Sequence, residues 1–277
     1  MASGAIVVTG ASSGIGEACV LRLAADGFHV FAGVRSDADL ARWSPEDGVT
    51  PVRIDVANGD SIAAAARQVE GALDGSGLAG LVNNAGVSVP GPIEYLPIDE
   101  LRRQLEVNLV GQVAVTQALL PALRRARGRV VFIGSVGGRV ALPLLAAYNA
   151  SKHGLEAVTD SLRQELRSDG MEVSIVEPGA VKTRIWEKGK ASGDEMLATM
   201  PPEAVERYGG LTAALREEAE RGGRDGMPPE KVADRVAHAL TARRPRTRYL
   251  LGTEARAHVL LRRLLGDRRM DALVARR

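Results

Sequence analysis

Tyr148 and Lys152 stand four residues apart in a helical run that begins near Ala147. On a helix, side chains at i and i+4 lie one above the other, so this spacing sets a phenol beside an ammonium. A lone tyrosine keeps its proton up to about pH 10, but a neighbouring cation favours the phenolate and makes the proton easier to give up or reclaim. The pair therefore suits a general acid or base working near neutral pH. An ordinary surface helix would also show these two residues, so the pair must be weighed with its neighbours. Ser135 is one of them. It stands just past residues 129–133, a β-branched run of the kind that makes a strand buried on both faces of a parallel sheet, and strand carboxyl ends are where open α/β sheets bind ligands.

The composition narrows the field. With 277 residues, 45% hydrophobic and 25% charged, the chain is long enough for one large α/β domain. A net charge of +2 provides no global field for nucleic acid. Cys19 is the only cysteine, which excludes an internal disulfide, and its apolar helical surroundings suggest a buried thiol in a reducing compartment. His29, His153, His238 and His258 are scattered, without cysteine or acidic partners at ligand spacing, so no metal site is expected. An apolar run, residues 5–8, comes first without a basic region or long hydrophobic segment before it, and no apolar stretch approaches the ~20 residues of a membrane span. The expectation is a soluble, cytoplasmic protein.

The elements that must position Tyr148 begin at residues 6–9, a short buried strand. Thr-Gly-Ala-Ser-Ser-Gly-Ile-Gly, residues 9–16, follows at once, before the helical pattern of Cys19, Val20, Leu23 and Ala24. Strand, glycine-rich turn and helix is the context of a dinucleotide site: glycines let backbone approach a pyrophosphate, and the helix N-terminus offers unpaired N–H groups. Gly10, Gly14 and Gly16 give a GxxxGxG spacing. Together with Tyr148 and Lys152, this resembles the short-chain dehydrogenase/reductase family in its shorter form of roughly 250 residues. The resemblance implies a Rossmann-like doubly wound parallel sheet in a single domain, a nicotinamide cofactor, and alcohol–carbonyl interconversion by hydride transfer. Ser12, Ser13 and Ile15 complete the implied cofactor turn.

Residues 29–34 make the second strand, ending in Val34, Arg35 and Ser36. A carboxylate there would accept a ribose 2′-OH, whereas arginine suits a 2′-phosphate. Arg35 and Ser36 therefore point to NADP(H) in preference to NAD(H), with no carboxylate in place to repel the phosphate. Ser13 stands where many NADP-preferring relatives carry a basic residue. The third strand, residues 52–54, leads to Asp55 and Val56. Asp55 either accepts the adenine amino group, as the resemblance implies, or caps the helix starting near Asn58.

The fourth strand, residues 81–82, runs into Asn83, Asn84, Ala85 and Gly86, which match the family; Asn83 is assigned to holding strands together and Asn84 to the cofactor. A long helix is expected over residues 98–125, with Asn108 interrupting its apolar stripe. In the family the matching asparagine distorts the helix and positions a water that links the lysine to solvent. The sixth strand, residues 172–176, precedes Pro178, Gly179, Val181 and Thr183. These match the family's loop that holds the nicotinamide amide and pyrophosphate.

Val140, Leu142, Leu144 and Leu145 suggest a water-poor wall and a substrate with hydrocarbon bulk. Residues 185–227 lose clear periodicity and lie where family members have a mobile lid, with Trp186, Met196, Leu197 and Met200 its apolar candidates. A catalytic domain over residues 1–253, with residues 247–251 its seventh strand, would then precede an arginine-rich helical extension, residues 254–277. That extension reads either as a membrane-surface helix or, more plainly, as helices packed on the body with an arginine-covered outer face.

The implied reaction is reversible reduction of a ketone or aldehyde: Tyr148 is the proton donor, Ser135 supports the carbonyl oxygen, Lys152 lowers the tyrosine pKa and binds ribose, and Asn108 orders a relay water. A homodimer or homotetramer is expected from the family. Two other readings remain: a catalytically silent nucleotide sensor, and a sugar-nucleotide epimerase or dehydratase, against which the glycine spacing argues.

Overall fold

The structure is a computed structural model, and it describes residues 4–44 and 47–274. Seven strands alternate with helices: β1 (Ala5–Thr9), β2 (His29–Val34), β3 (Val49–Arg53), β4 (Leu78–Asn83), β5 (Arg129–Ile133), β6 (Glu172–Pro178) and β7 (Arg248–Leu251). They form one sheet in the order β3-β2-β1-β4-β5-β6-β7. Every neighbouring pair is parallel. A parallel sheet must be covered on both faces, which is why its strands read as continuous apolar runs. Odd and even residues of β1 show the division: Ile6 and Val8 join one buried cluster with Leu23 and Val236, while Val7 joins another with Phe132 and Leu155.

The order reverses between β1 and β4, so the chain leaves these two strands in opposite directions and opens a crevice at their carboxyl ends. The expected doubly wound fold is present, and the turns that were singled out all leave strands on that edge. The first face is covered by α1 (Gly14–Ala25) and α9 (Pro229–Thr241), the second by α3 (Gly59–Leu73), α5 (Gly111–Ala126) and α6 (Ala146–Glu165). A single-turn α2 (Asp37–Leu40) follows β2.

The expected long helix is broken in register. It consists of α4 (Ile98–Leu105), a π turn at Glu106–Val110 and α5. A π turn accommodates one extra residue, and here it surrounds Asn108, which is fully buried. On leaving it, the backbone of Gly111 packs so closely on Val56 that a Cβ would lie 2.2 Å from the Val56 carbonyl oxygen.

Two expectations are corrected. Residues 185–227 are not irregular: they form α7 (Ile185–Thr199) and α8 (Pro202–Asp225), joined by Pro201 and started by Pro202 at the first helical turn. Their periodicity is hard to see because few of their residues are buried. After β7, α10 (Thr253–Leu264) and α11 (Asp267–Val274) follow. The outer face of α10 is not simply arginine-covered, because Leu260 and Leu264 are 57% and 71% exposed, on the side away from the buried Ala255. Arg276 and Arg277 lie outside the described residues.

The Gly111 contact generates a stability prediction. Gly111→Ala should destabilise the fold by about 1–3 kcal/mol, the usual cost of forcing extra volume against rigid backbone, measured as a lowered midpoint in urea unfolding.

Candidate active site

The crevice is built from the ends of six strands. At β1, Gly10 and Gly14 have φ of 65° and 60°, the left-handed conformation that glycine adopts without strain. A Cβ on Gly16 would fall 2.1 Å from the Gly10 carbonyl oxygen, and one on Gly14 would fall 2.9 Å from the Thr183 methyl. Ser13 precedes α1 without capping it, so the first N–H groups of that helix are free to face an anion. Ser12 and Ser13 are half-buried at this turn, and Ile15 packs against the core below. A turn stripped of side chains, ahead of an uncapped helix, fits the pyrophosphate of a dinucleotide.

Asn84 ties this turn to β4. Its side-chain N–H donates to the carbonyls of Thr9 and Gly10 at 2.9 and 3.1 Å, while the Thr9 hydroxyl accepts from the N–H groups of Asn84 and Ala85 at 3.0 and 3.1 Å. One of the two expected asparagine roles therefore moves. Asn84 is the strand-joining residue, and Asn83 donates instead to Thr116 of α5 at 2.8 Å. Gly86 is exposed beside Asn108, where a Cβ would lie 3.4 Å from the amide oxygen.

At the ends of β2 and β3 the charge is more mixed than expected. Arg35 is exposed, and Ser36 caps α2, accepting from the Asp39 N–H at 3.1 Å. Asp37 and Asp39 follow directly, so carboxylates are present after all. Arginines neutralise them: Arg53 pairs with Asp37 and donates to the Arg35 carbonyl at 2.8 Å, and Arg42, 4.0 Å from Asp39, also reaches Glu17 and the Ser12 carbonyl. Neither Arg42 nor Arg53 was singled out in the sequence, because each approaches from another element. Asp55 accepts from the Ala57 N–H at 3.0 Å, and the cap of α3 is Asn58, which accepts from Ser61 at 2.9 Å. Of the two readings of Asp55, capping is thus excluded. Val56 is buried beneath Gly111.

Ser135 stands just past β5 and opens a short 3-10 turn, Val136–Gly138, by accepting from the Gly137 N–H at 3.0 Å. Its hydroxyl proton is thereby left for another acceptor. A Cβ on Gly137 would stand 3.2 Å from the Tyr148 ring and 3.4 Å from the Ser135 hydroxyl, so the glycine lets α6 close onto this turn. Lys152 is only 4% exposed; its ammonium donates to the Ile133 carbonyl at 2.8 Å and lies 5.9 Å from the centre of the Tyr148 ring. Phenol, ammonium and serine hydroxyl are brought together as the spacing predicts.

Their titration differs from expectation. Burial pushes the Tyr148 phenol above its ordinary range, and the nearby Ser135 hydroxyl pulls it partly back. Burial likewise pushes Lys152 down to about 8, while Glu156 pulls it upward. The ammonium does not dominate the phenol because desolvation acts on both groups.

Both polar atoms of the Asn108 amide have partners. Its oxygen accepts from the Val87 N–H at 2.8 Å, and its nitrogen donates to the Val87 carbonyl at 2.9 Å and to the Ser151 hydroxyl at 3.1 Å. Two more amides share that helix face: Gln104 accepts from Val89 at 2.8 Å, and Gln112 donates to the Ala85 carbonyl at 2.8 Å. This ladder over residues 104, 108 and 112 holds the loop after β4. Sequence reading noted only its middle rung, although the i, i+4 spacing of buried amides was there to be seen.

Pro178 and Gly179 turn the chain out of β6. Val181 bridges to Met227, and Thr183 rests on Gly14. Trp186 donates to the Val181 carbonyl at 2.7 Å and packs on Gly222, so it staples α7 and α8 to this loop. Met196 is buried in a small apolar cluster with Val89, Leu96 and Ala147, bordered by Leu101 and Met200. Among the described residues no group of acidic, histidine or cysteine side chains could hold a metal.

The sequence profile described as "short chain dehydrogenase" matches residues 4–193. The NADPH-dependent 3-dehydrocapnine reductase of Ornithobacterium rhinotracheale is 35% identical over 274 residues, 96% of this chain and 94% of that protein. Human retinol dehydrogenase 16 is 40% identical over 258 residues, 91% and 81% of the two chains. The crystal structure of a short-chain dehydrogenase/reductase from Burkholderia phymatum in complex with NAD superimposes with a TM-score of 0.81 at 25% identity, covering 95% of this chain and 93% of that one. A glycine turn, a Tyr–Lys pair and a serine on one sheet edge thus agree with likeness along almost the whole sequence, and the chain belongs to the short-chain dehydrogenase/reductase family of oxidoreductases.

Proposed function

We propose that this protein is an NADP(H)-preferring reductase that interconverts a lipophilic ketone or aldehyde with its alcohol. The observation that carries the reading is the convergence of Ser135, Tyr148 and Lys152 beside a turn shaped for a dinucleotide. A bound nicotinamide supplies or accepts the hydride. Gly10, Ser12, Ser13, Gly14, Ile15 and Gly16 would hold its pyrophosphate side, with Asp55, Val56, Asn84, Ala85 and Gly86 along the adenosine and ribose, and Pro178, Gly179, Val181 and Thr183 at the nicotinamide amide. Arg35 and Ser36 would meet a 2′-phosphate, supported by the arginines that cancel Asp37 and Asp39. The relative named for its NADPH dependence favours the same choice.

In the reductive direction Tyr148 gives its phenolic proton to the carbonyl oxygen, and it takes the proton back in oxidation. A phenol held protonated by burial suits the reductive role. Ser135 donates to the same oxygen with the proton its turn leaves free. Lys152 holds positive charge beside the phenol and would donate to the ribose hydroxyls of a bound cofactor. Asn108 acts through the π turn it anchors, which sets the loop after β4 against α6. Val140, Leu142, Leu144 and Leu145, which lead into α6, would supply an apolar wall that favours a substrate with hydrocarbon bulk, in keeping with a relative named for retinol.

The reading places the enzyme in the cytoplasm, consistent with a single, buried, free Cys19. It also expects a homodimer or homotetramer through the long helices, where Ile98 and Val110 are 58% and 49% exposed. No helix among the described residues is long and apolar enough to cross a membrane.

Two measurements test this reading. Tyr148→Phe should lower kcat for ketone reduction by about 10²-fold or more while leaving the Kd for NADPH within about twofold; full activity would remove Tyr148 as the proton donor. Arg35→Ala should weaken NADPH binding by roughly tenfold and leave NADH unchanged, as read by fluorescence titration, since only the phosphate loses a charged partner. Equal losses for both nucleotides would remove the NADP(H) preference from Arg35.

A further inference from the structure

Glu156 lies one turn along α6 from Lys152, and the reaction outlined above does not use it. It is buried together with Glu177, the penultimate residue of β6. Arg139, which follows the 3-10 turn after Ser135, donates to Glu177 at 3.0 Å and stands 3.9 Å from Glu156. Arg248, which begins β7, donates to Glu156 at 3.0 Å and lies 3.8 Å from Glu177. Each arginine therefore spans both glutamates. Asp160, a further turn along α6, takes a second hydrogen bond from Arg248 at 2.6 Å and one from Arg163 at 2.8 Å. Lys152 completes the charged groups around the pair.

Glu156 presents one oxygen to Arg248, and its other oxygen, Oε1, is buried without a hydrogen-bond partner. A buried carboxylate oxygen left without a donor is costly, and so are two adjacent buried carboxylates that are both ionised. One proton held by the pair relieves both costs. Consistent with this, burial and the neighbouring Glu177 push the Glu156 carboxyl well above the usual carboxylate range. Glu156 is in turn the charge that opposes the downward pull of burial on Lys152.

We propose that Glu156 and Glu177 share one proton and form a charge reserve that sets the pH at which Lys152 loses its own. As pH rises, the shared proton leaves to water and the pair gains one negative charge beside the ammonium. Lys152 then stays cationic to higher pH than burial alone would allow. Glu156 is a positioning residue, acting through Lys152. Its consequence for turnover rests on the reductase reading above, whereas the titration itself does not.

The chain has five lysines, so the intact protein labelled with ¹³C at lysine Cε gives five signals, and that of Lys152 is the one lost in Lys152→Arg. Its titration midpoint in the unaltered protein should lie at about 8. Glu156→Gln removes the developing anion and should lower the midpoint by about one pH unit. Glu177→Gln removes the like charge, lets Glu156 ionise earlier, and should raise the midpoint by roughly half a unit or more. A purely structural role would move neither midpoint or move both the same way, and either result overturns the proposal. Should Glu156→Gln fail to fold, Glu177→Gln decides alone, because an unchanged or lowered midpoint there contradicts the shared proton. In steady-state assays the alkaline limb of ketone reduction should move with the midpoint in each variant. If no carbonyl is reduced at any pH, the reductase reading fails, and the NMR midpoints still decide for or against the shared proton.

Discussion

One ammonium taken out of water governs this site. Lys152 is buried beside a phenol, and that burial weakens the positive charge it carries. The fold answers this with position. The Ile133 carbonyl at the end of β5 accepts from the ammonium, α6 is closed onto the strand end through a glycine that clears the tyrosine ring, and an acidic side chain lies one turn below. Each support comes from a different element, so the site exists only once the sheet and α6 are packed together.

The second constraint is the approach of backbone to backbone. Around Gly10, Gly16 and Gly111 the main chain comes so close to its neighbours that any side chain would collide. Amides then fasten these contacts: Asn84 across β1 and β4, and Gln104, Asn108 and Gln112 along one helix face against the loop after β4. Buried amides demand partners, and a row of them on one face fixes a loop that would otherwise have only turn propensity to hold it.

Much of this was legible in the sequence, for local reasons. Glycine spacing after a buried strand and a Tyr–Lys pair at i, i+4 depend on near neighbours, so they survive being read in one dimension. All seven expected strands are present, and the π turn stands at the asparagine that breaks an apolar stripe. What could not be read depends on partners distant in sequence. Arg42 reaches the glycine turn from thirty residues away, and Arg248 meets Glu156 from ninety-two. Residues 185–227 looked irregular because their helices bury only a few residues each. The strand-joining role expected of Asn83 falls to Asn84 because neighbouring amides are alike in sequence and differ only in where each points.

The strand order also shapes how this molecule comes into being. With every neighbouring pair parallel, no two adjacent strands can zip together as a hairpin, and each pairing must wait for a crossover to be made. During synthesis, β1 remains a sheet edge until Leu78 and its neighbours emerge. At about 5–20 residues per second, the interval in which its apolar flank lies open lasts several seconds. The first strand, from which the glycine turn leaves, therefore gains its second neighbour only after β4 has been made.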